Sequence, residues 1–400
     1  MITRADIVQR VAEWGLREET VEKDYVLGWV LWGIGSHPRL STQWVFKGGT
    51  CLKKCYIETY RFSEDLDFTV LPGGPYQPDD VLPSLAQVLA AVGDASGIDF
   101  HQTRPSFRVR PAGMSAEGRV YYQGPRQVPG IGRIKIDLSA DEIVVRPSVL
   151  QVISHPYPDQ LPPSASARCY SFEELFAEKI RALGQRARPR DLYDVINLFR
   201  RPDLRLHPEL IRKALADKCE TKGVPVPTFE AIASPERLAE LEADWANMLG
   251  HQLPALPPLE RFLEELPTLF QWLERTLEVA ALPSLPMRTG EDADWSPPPT
   301  MATWGRGFPL EVIRFAAVNH LLIDLGYQGQ HRLIEPYSLR RARAGNILLH
   351  AERTDGGGHR QYDIDLIESA QATTIPFRPV WAIEFSASGP LAAPPSRSGR

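Results

Sequence analysis

Ser63-Glu64-Asp65-Leu66-Asp67-Phe68 is the segment whose residue types and spacing point most directly to chemistry. Side chains two apart on a strand share a face, so an extended backbone sets Ser63, Asp65 and Asp67 side by side and leaves Leu66 and Phe68 for the core. Two neighbouring carboxylates repel, and the pair therefore either raises a carboxyl pKa or binds a divalent cation. A hard ion that prefers oxygen, Mg2+ or Mn2+, suits them. A third acid on a neighbouring strand would let the site hold two ions, one at an attacking hydroxyl and one at a triphosphate and its leaving group. Asp137 is the candidate, because Ile134, Ile136 and Leu138 occupy one face of an alternating strand and Lys135 and Asp137 the other. Alone, a D-x-D is more often two solvated acids at a strand end.

The preceding glycines change that balance. Gly48-Gly49-Thr50 lies between an apolar strand, Trp44-Val45-Phe46, and a short helix that starts at Cys51. Backbone N–H groups without Cβ obstruction at the positive end of a helix form a seat for a triphosphate, with Lys47 adding charge. Lys179 falls on the apolar stripe of its helix, three and four residues from Leu175, Phe176, Ala182 and Leu183, so it either snorkels past the core edge or projects into a cleft toward phosphate oxygens. Arg181 falls on the polar side. Asp191, near the start of the next helix, favours the dipole in the ordinary case. Arg181, Arg186, Arg188 and Arg190 offer a landing strip for an RNA backbone, with solvated surface arginines as the plain alternative. Cys51 and Cys55, one helical turn apart, are assigned to packing.

The elements that must position these groups are mixed α and β. Two helices span residues 3–34, the first opened by Thr3 with Asp6 in capping-box spacing. Residues 62–70 return as a strand, 81–92 as a helix and 131–138 as a strand. Ser171 and Glu174 open a helix through Leu183, and Pro189 opens another through Phe199. Residues 235–279 read as purely helical. Pro, Gly, Asp and Ser dominate 283–309, the strongest linker in the chain. Beyond it, 311–325 predicts a helix closed by Gly326, and strands at 346–353 and 360–366 flank the turn Asp355-Gly356-Gly357-Gly358. The composition after Phe385 predicts a disordered tail.

Four hundred residues that are 43% hydrophobic allow two or three compact domains, and a formal charge of -5 argues against a protein that coats nucleic acid indiscriminately. The four cysteines form no C-x-x-C pair, and no His cluster completes a zinc site. The charged N-terminus and the lack of any run of about 18 apolar residues predict a cytoplasmic protein without a membrane partner.

Four separated segments make the chain resemble the AbiEii family of nucleotidyltransferase toxins of type IV toxin–antitoxin systems. They are Glu22-Lys23-Asp24-Tyr25; Phe46-Lys47-Gly48-Gly49-Thr50 with Arg61-Phe62-Ser63-Glu64-Asp65-Leu66-Asp67-Phe68; Glu178-Lys179-Ile180-Arg181-Ala182; and Pro189-Arg190-Asp191-Leu192-Tyr193-Asp194. The resemblance covers roughly residues 1–280 and implies a polymerase-β-like core with a helical extension there; composition sets a linker at 281–305 and a disordered tail at 387–400, with a small mainly-β domain at 306–386 between them. It also implies transfer of a nucleotide from an NTP to an acceptor, which in the related MenT-type toxins is the tRNA 3′ end, and a cognate antitoxin as partner. Carried over by residue, Ser63 with Asp65 and Asp67 matches the metal and phosphate motif, Lys179 the nucleotide-contacting lysine and Asp191 the later catalytic acid; with the glycine turn read above, the expectation is Asp65, Asp67, Lys179 and Asp191 as catalytic, Lys47, Gly48, Gly49, Thr50, Ser63 and Lys179 as nucleotide-binding, and Asp65, Asp67 and Asp137 as ligands of Mg2+ or Mn2+.

In the last third, Arg332-Leu333-Ile334-Glu335-Pro336-Tyr337-Ser338-Leu339-Arg340, Leu348-Leu349-His350-Ala351 and Arg360-Gln361-Tyr362-Asp363-Ile364-Asp365 are similar to a WYL-type domain, without its Trp-Tyr-Leu signature. The expected activity is a toxin or phage-defence nucleotidyltransferase acting on RNA. The alternative is a nucleic-acid-sensing regulator that binds NTP without turnover, and a carboxylate-dependent nuclease is a third reading that leaves the glycine turn unexplained.

Overall fold

A computed structural model describes residues 1–57, 61–111, 113–201, 207–295, 297 and 309–385. The chain opens with α1 (Arg4–Trp14) and α2 (Glu18–Ser36), passes a short α3 (Leu40–Gln43) and enters a sheet at β1 (Trp44–Lys47). Thr3 caps α1 in a closed capping box with Asp6, and Gly15 ends it in the left-handed conformation. After β1 come α4 (Gly48–Cys55), β2 (Asp65–Val70), α5 (Pro78–Ser96), β3 (Ser106–Val109), β4 (Ser115–Tyr122), β5 (Gly132–Ser139), β6 (Val149–Val152) and β7 (Ser166–Cys169). These strands form one mixed sheet in the order β3-β4-β5-β2-β1-β7-β6. β2 runs antiparallel to β1 and parallel to β5, so it lies inside the sheet with a partner on each side.

The segment 22–25 braces this core. Asp24 and Lys54 form a buried ion pair at 2.7 Å, and the Tyr157 hydroxyl donates to the same carboxylate at 2.8 Å. Glu22 accepts from the backbone and side chain of Arg126, both at 2.9 Å, and Lys23 pairs with Glu64. Charged residues on an otherwise apolar helix thus tie α2 to α4 and to the loop after β4.

The helical extension contains α6 (Phe172–Arg186), α7 (Pro189–Phe199), α8 (Pro208–Lys222), α9 (Phe229–Ile232), α10 (Pro235–Leu249) and α11 (Leu259–Leu273). Ser171 caps α6 by accepting from the Glu174 amide at 3.3 Å. The Glu174 carboxylate does not return to the cap; it accepts from the Val145 and Arg146 amides and pairs with Lys218, so the expected box is half closed. Residues 235–279 are not one helical run: α10 ends at Leu249 and α11 begins at Leu259. Between them lie Pro254, Pro257 and Pro258, which have no N–H to give.

The last part begins with α12 (Leu310–Val318) and continues as β8 (Leu321–Tyr327), β9 (Gln330–Arg341), β10 (Ile347–Arg353), β11 (Gly358–Asp363) and β12 (Ile367–Pro376), a separate antiparallel sheet in the order β11-β10-β9-β8-β12. The helix expected over 311–325 stops at Val318. His320 takes φ 55°, and the apolar run Leu321-Leu322-Ile323 becomes strand with Gly326 inside it, because a short continuous apolar run has no period that separates buried helix from buried strand.

Where a linker is expected, residues 283–295 lie along this sheet: Leu285 is buried, and buried Glu291 pairs with Arg340 at 3.1 Å and with His350 at 3.2 Å. Residues 298–308 of that stretch, and the tail 386–400, lie outside the described residues. α12 packs on α1, where Arg10, Glu13, Glu311 and Arg314 bury their charges together. Among the described residues no helix is long and apolar enough to cross a membrane.

Candidate active site

The register across three strands builds the site. Lys47 of β1 faces Asp67 of β2, Asp67 faces Asp137 of β5, and Asp65 faces Lys135. Cross-strand partners point to the same side, so these groups share one face, with strands about 4.8 Å apart. On the other face Leu66 and Phe68 are buried in the core, as their alternation predicts.

A cleft of about 510 Å³ opens over this face. It brings together Lys47, Gly48, Gly49, Ser63, Asp65, Asp67, Asp137, Lys179 and Asp191 from the sequence-derived set. Thr50 is left out: it is buried, and its hydroxyl donates to the Asp65 carbonyl, which fastens α4 to β2 rather than reaching a ligand. Basic residues lining the cleft outnumber acids nine to six, the balance a polyanion needs.

Gly48 and Gly49 are the first turn of α4 itself, not a loop ahead of it. Gly48 has φ 82°, and a Cβ there would sit 2.4 Å from Asp67 Oδ2. A Cβ on Gly49 would lie 2.7 Å from Arg61 Nη2 and 3.1 Å from Ser63 Oγ. Only bare backbone lets the helix start so close to the acids. No side chain caps α4, so the amides of its first turn are not taken up by a cap.

Burial and the neighbouring Asp137 and Asp65 push the Asp67 carboxyl up to about 6, against the opposing pull of Lys47 and Lys179. Burial raises Asp65 too, with Lys135 opposing and Asp137 adding to the shift. Lys47 is itself paired with Glu142, which also accepts from Thr69 at 3.3 Å. Burial works against both charges of that pair, yet their mutual attraction wins and holds each ionised.

Behind the cleft, fully buried Asp194 accepts from Arg61 at 2.6 and 2.8 Å and pairs with Lys179 at 2.7 Å. Burial alone would raise its carboxyl; Arg61 and Lys179 outweigh that and hold it well below the ordinary range. Lys179 therefore leaves its apolar stripe inward, fixed at the cleft wall by an acid fifteen residues along the chain. Asp191 is equally engaged: Arg186 grips it with two bonds of 2.7 and 3.0 Å. Arg181, expected on the polar side, is buried, because α8 packs on α6 and Glu178 and Gln185 take up its guanidinium. The arginines at 181, 186, 188 and 190 consequently line the cleft instead of forming an outer strip.

The donor set fits a hard divalent cation at Asp65 and Asp67, where two half-buried carboxylates face each other's charge. Asp137 is less available, since Arg110 and Lys135 hold its two oxygens at 2.7 and 2.6 Å. Among the described residues, the metal-ligand trio that closes to within 4.8 Å is Cys51 and Cys55 of α4 with Cys169 of β7, three buried thiols. Cys51 is already hydrogen-bonded to the Phe46 carbonyl. Sequence reasoning missed Glu142, which sits in a loop without period, and gave no role to Arg61 and Asp194, although both lie within the segments that carry the resemblance. The i, i+3 spacing of Asp191 and Asp194 on α7 was the available signal.

Residues 29–275 match the family described as "Nucleotidyl transferase AbiEii toxin, Type IV TA system". Among solved structures, the chain is similar to MenT4, a nucleotidyltransferase toxin from Mycobacterium tuberculosis H37Rv, at 21% identity and a TM-score of 0.47, covering 68% of this chain and 90% of that one. No curated protein matches significantly.

Proposed function

This chain belongs to the AbiEii family of type IV nucleotidyltransferase toxins, and we propose that its cleft transfers a nucleotide from an NTP to an RNA acceptor, the tRNA 3′ end being the favoured case. Family membership makes it a nucleotidyltransferase and implies an NTP substrate and a cognate antitoxin. One observation supports the reading above the rest. Asp65, Asp67, the glycine-started helix and Lys179 line a single cleft whose positive charge is in excess.

In this reading the first-turn amides of α4, with Lys179, Arg186, Arg188 and Arg190, hold the triphosphate. Asp191 acts by aiming Arg186, and Asp194 by fixing Lys179. Asp65 and Asp67 hold Mg2+ or Mn2+, with Asp137 joining if it releases its cations; the ion supplies charge neutralisation on the phosphates. The acceptor hydroxyl attacks the α-phosphorus, the bond from that phosphorus to the bridging oxygen breaks, and pyrophosphate leaves. The hydroxyl proton passes to the carboxylate row. Catalysis then consists mainly of positioning and electrostatic complementarity. We further read 306–386 as a WYL-like module, supported by the motif segments falling on β9, β10 and β11, and the whole as a cytoplasmic phage-defence toxin.

The test is incubation with tRNA, Mg2+ and each labelled NTP in turn. Label entering RNA with wild-type protein and not with Asp67→Asn is the expected result; no label from any NTP, with a related enzyme active beside it, overturns the proposal.

A further inference from the structure

Two anionic substrates meet in nucleotidyl transfer to RNA, and the bank of Lys179, Arg186, Arg188 and Arg190 accounts for one of them. The opposite bank carries a second basic surface. β3, β4 and β5 continue the face of the catalytic acids outward in three registered rows. Ser106 faces Arg119, which faces Lys135, which faces Asp65. Arg108 faces Glu117, which faces Asp137, which faces Asp67, and Tyr121 faces Arg133. Ile134, Ile136 and Leu138 of β5 and Ala116, Val120 and Tyr122 of β4 point to the core, so the cations of these strands are turned outward.

The charge on this apron is not neutralised from within. Glu117 lies near four cations, Arg108 and Arg119 at 3.4 Å, Arg110 at 3.7 Å and Lys135 at 4.0 Å; Asp137 takes up the last two at 2.7 and 2.6 Å, which leaves Arg108 and Arg119 to share Glu117. The side chain of Arg108 is 73% exposed, too open for that contact to explain it as a stabilising bridge. Arg133 is exposed and, among the described residues, makes no ion pair. A net-acidic chain thus gathers arginines on a sheet face whose inner edge, Arg110 and Lys135, already lines the cleft. Half-buried Tyr121 stands on the same face and adds a ring on which a base can stack.

We infer that the outer face of β3, β4 and β5 is the docking surface for the acceptor RNA, whose single-stranded 3′ end runs across Arg108, Arg119 and Arg133 to reach Asp65 and Asp67. The inference rests on the proposed transfer to RNA and adds where that RNA lies.

The experiment uses the full chain and a 5′-fluorescein RNA with a single-stranded 3′ end, titrated by fluorescence anisotropy over a series of NaCl concentrations. Arg108→Gln, Arg119→Gln and Arg133→Gln are combined in one variant; all three side chains are exposed, and its melting curve and NTP binding should match wild type. Removing three phosphate contacts should weaken RNA binding and lower the slope of log Kd against log salt by about 2. In turnover, KM for RNA should rise while kcat holds. An unchanged Kd and salt slope, a wild type that does not bind RNA at low salt, or a variant that loses a protein partner yet keeps RNA would each overturn the inference. The two readings fail separately. Apron-dependent binding without any label transfer sinks the chemistry alone, and label transfer with unchanged kcat/KM in the triple variant sinks the apron alone.

Discussion

Replacing Asp67 by Asn should stabilise the metal-free protein while abolishing turnover. The Asp67 carboxyl is held at about 6, mainly by burial, with Asp137 and Asp65 adding to it. The unfolded chain would titrate near the ordinary value of 3.8. A folded pKa above the unfolded one means that the fold prefers the protonated acid. Well below pH 3.8 the group is neutral in both states and costs nothing. Through the interval from 4 to 6 the cost grows, and above 6 it is complete, at up to about 3 kcal/mol for a shift of roughly two units. Asn carries no such cost. Denaturant unfolding in EDTA should therefore show Asp67→Asn ahead of wild type by 1–3 kcal/mol at pH 8, on the order of the linkage value, with the gap narrowing toward pH 4. Adding Mg2+ should stabilise wild type, by about 2.7 kcal/mol at a hundred times its Kd, and leave the variant unmoved. A variant less stable than wild type at pH 8 without metal, a gap undiminished at pH 4, or equal Mg2+ stabilisation of both proteins would refute this account of the site.

Gly48→Ala should reduce label incorporation to background and destabilise the fold by about 1–3 kcal/mol, because φ 82° and a Cβ 2.4 Å from Asp67 Oδ2 both oppose it; single-turnover assays and melting curves check the two effects. Asp24→Ala leaves Lys54 buried without its carboxylate and should cost about 3–5 kcal/mol, measured by urea unfolding, with kcat of the surviving folded fraction little changed. Asp191→Ala frees Arg186 from its two-point grip, so KM for NTP should rise about tenfold, the equivalent of one charge-assisted hydrogen bond, with a smaller change in kcat; steady-state kinetics would expose the opposite split.

Local signals carried much of this structure in the sequence. Thr3 with Asp6, Ser171 and Pro189 mark helix starts that the chain uses. The alternation of 134–138 and the 65/67 dyad place the acids on one sheet face, because a strand has only two faces. Tertiary partners were not legible. Arg61 and Asp194 lie 133 residues apart, and Lys47 and Glu142 lie 95 apart, with no period to join them. Arg181 looked solvent-facing until α8 covered it. The glycines were visible as a pair, but the close approach of Asp67 that requires them appears only once β1 and β2 are in register. In the last part, an apolar run without period hid the change from α12 to β8.

In the proposed complex a triphosphate lies between the start of α4 and Lys179, with its metal on the β2 acids. A crystal soaked with a non-hydrolysable NTP and Mn2+ tests it by anomalous scattering. The expected result is an ion about 2.1 Å from oxygens of Asp65 and Asp67, with the phosphates against the Gly48 and Gly49 amides and Lys179. A nucleotide bound outside this cleft, or an ion that neither aspartate touches, would contradict it.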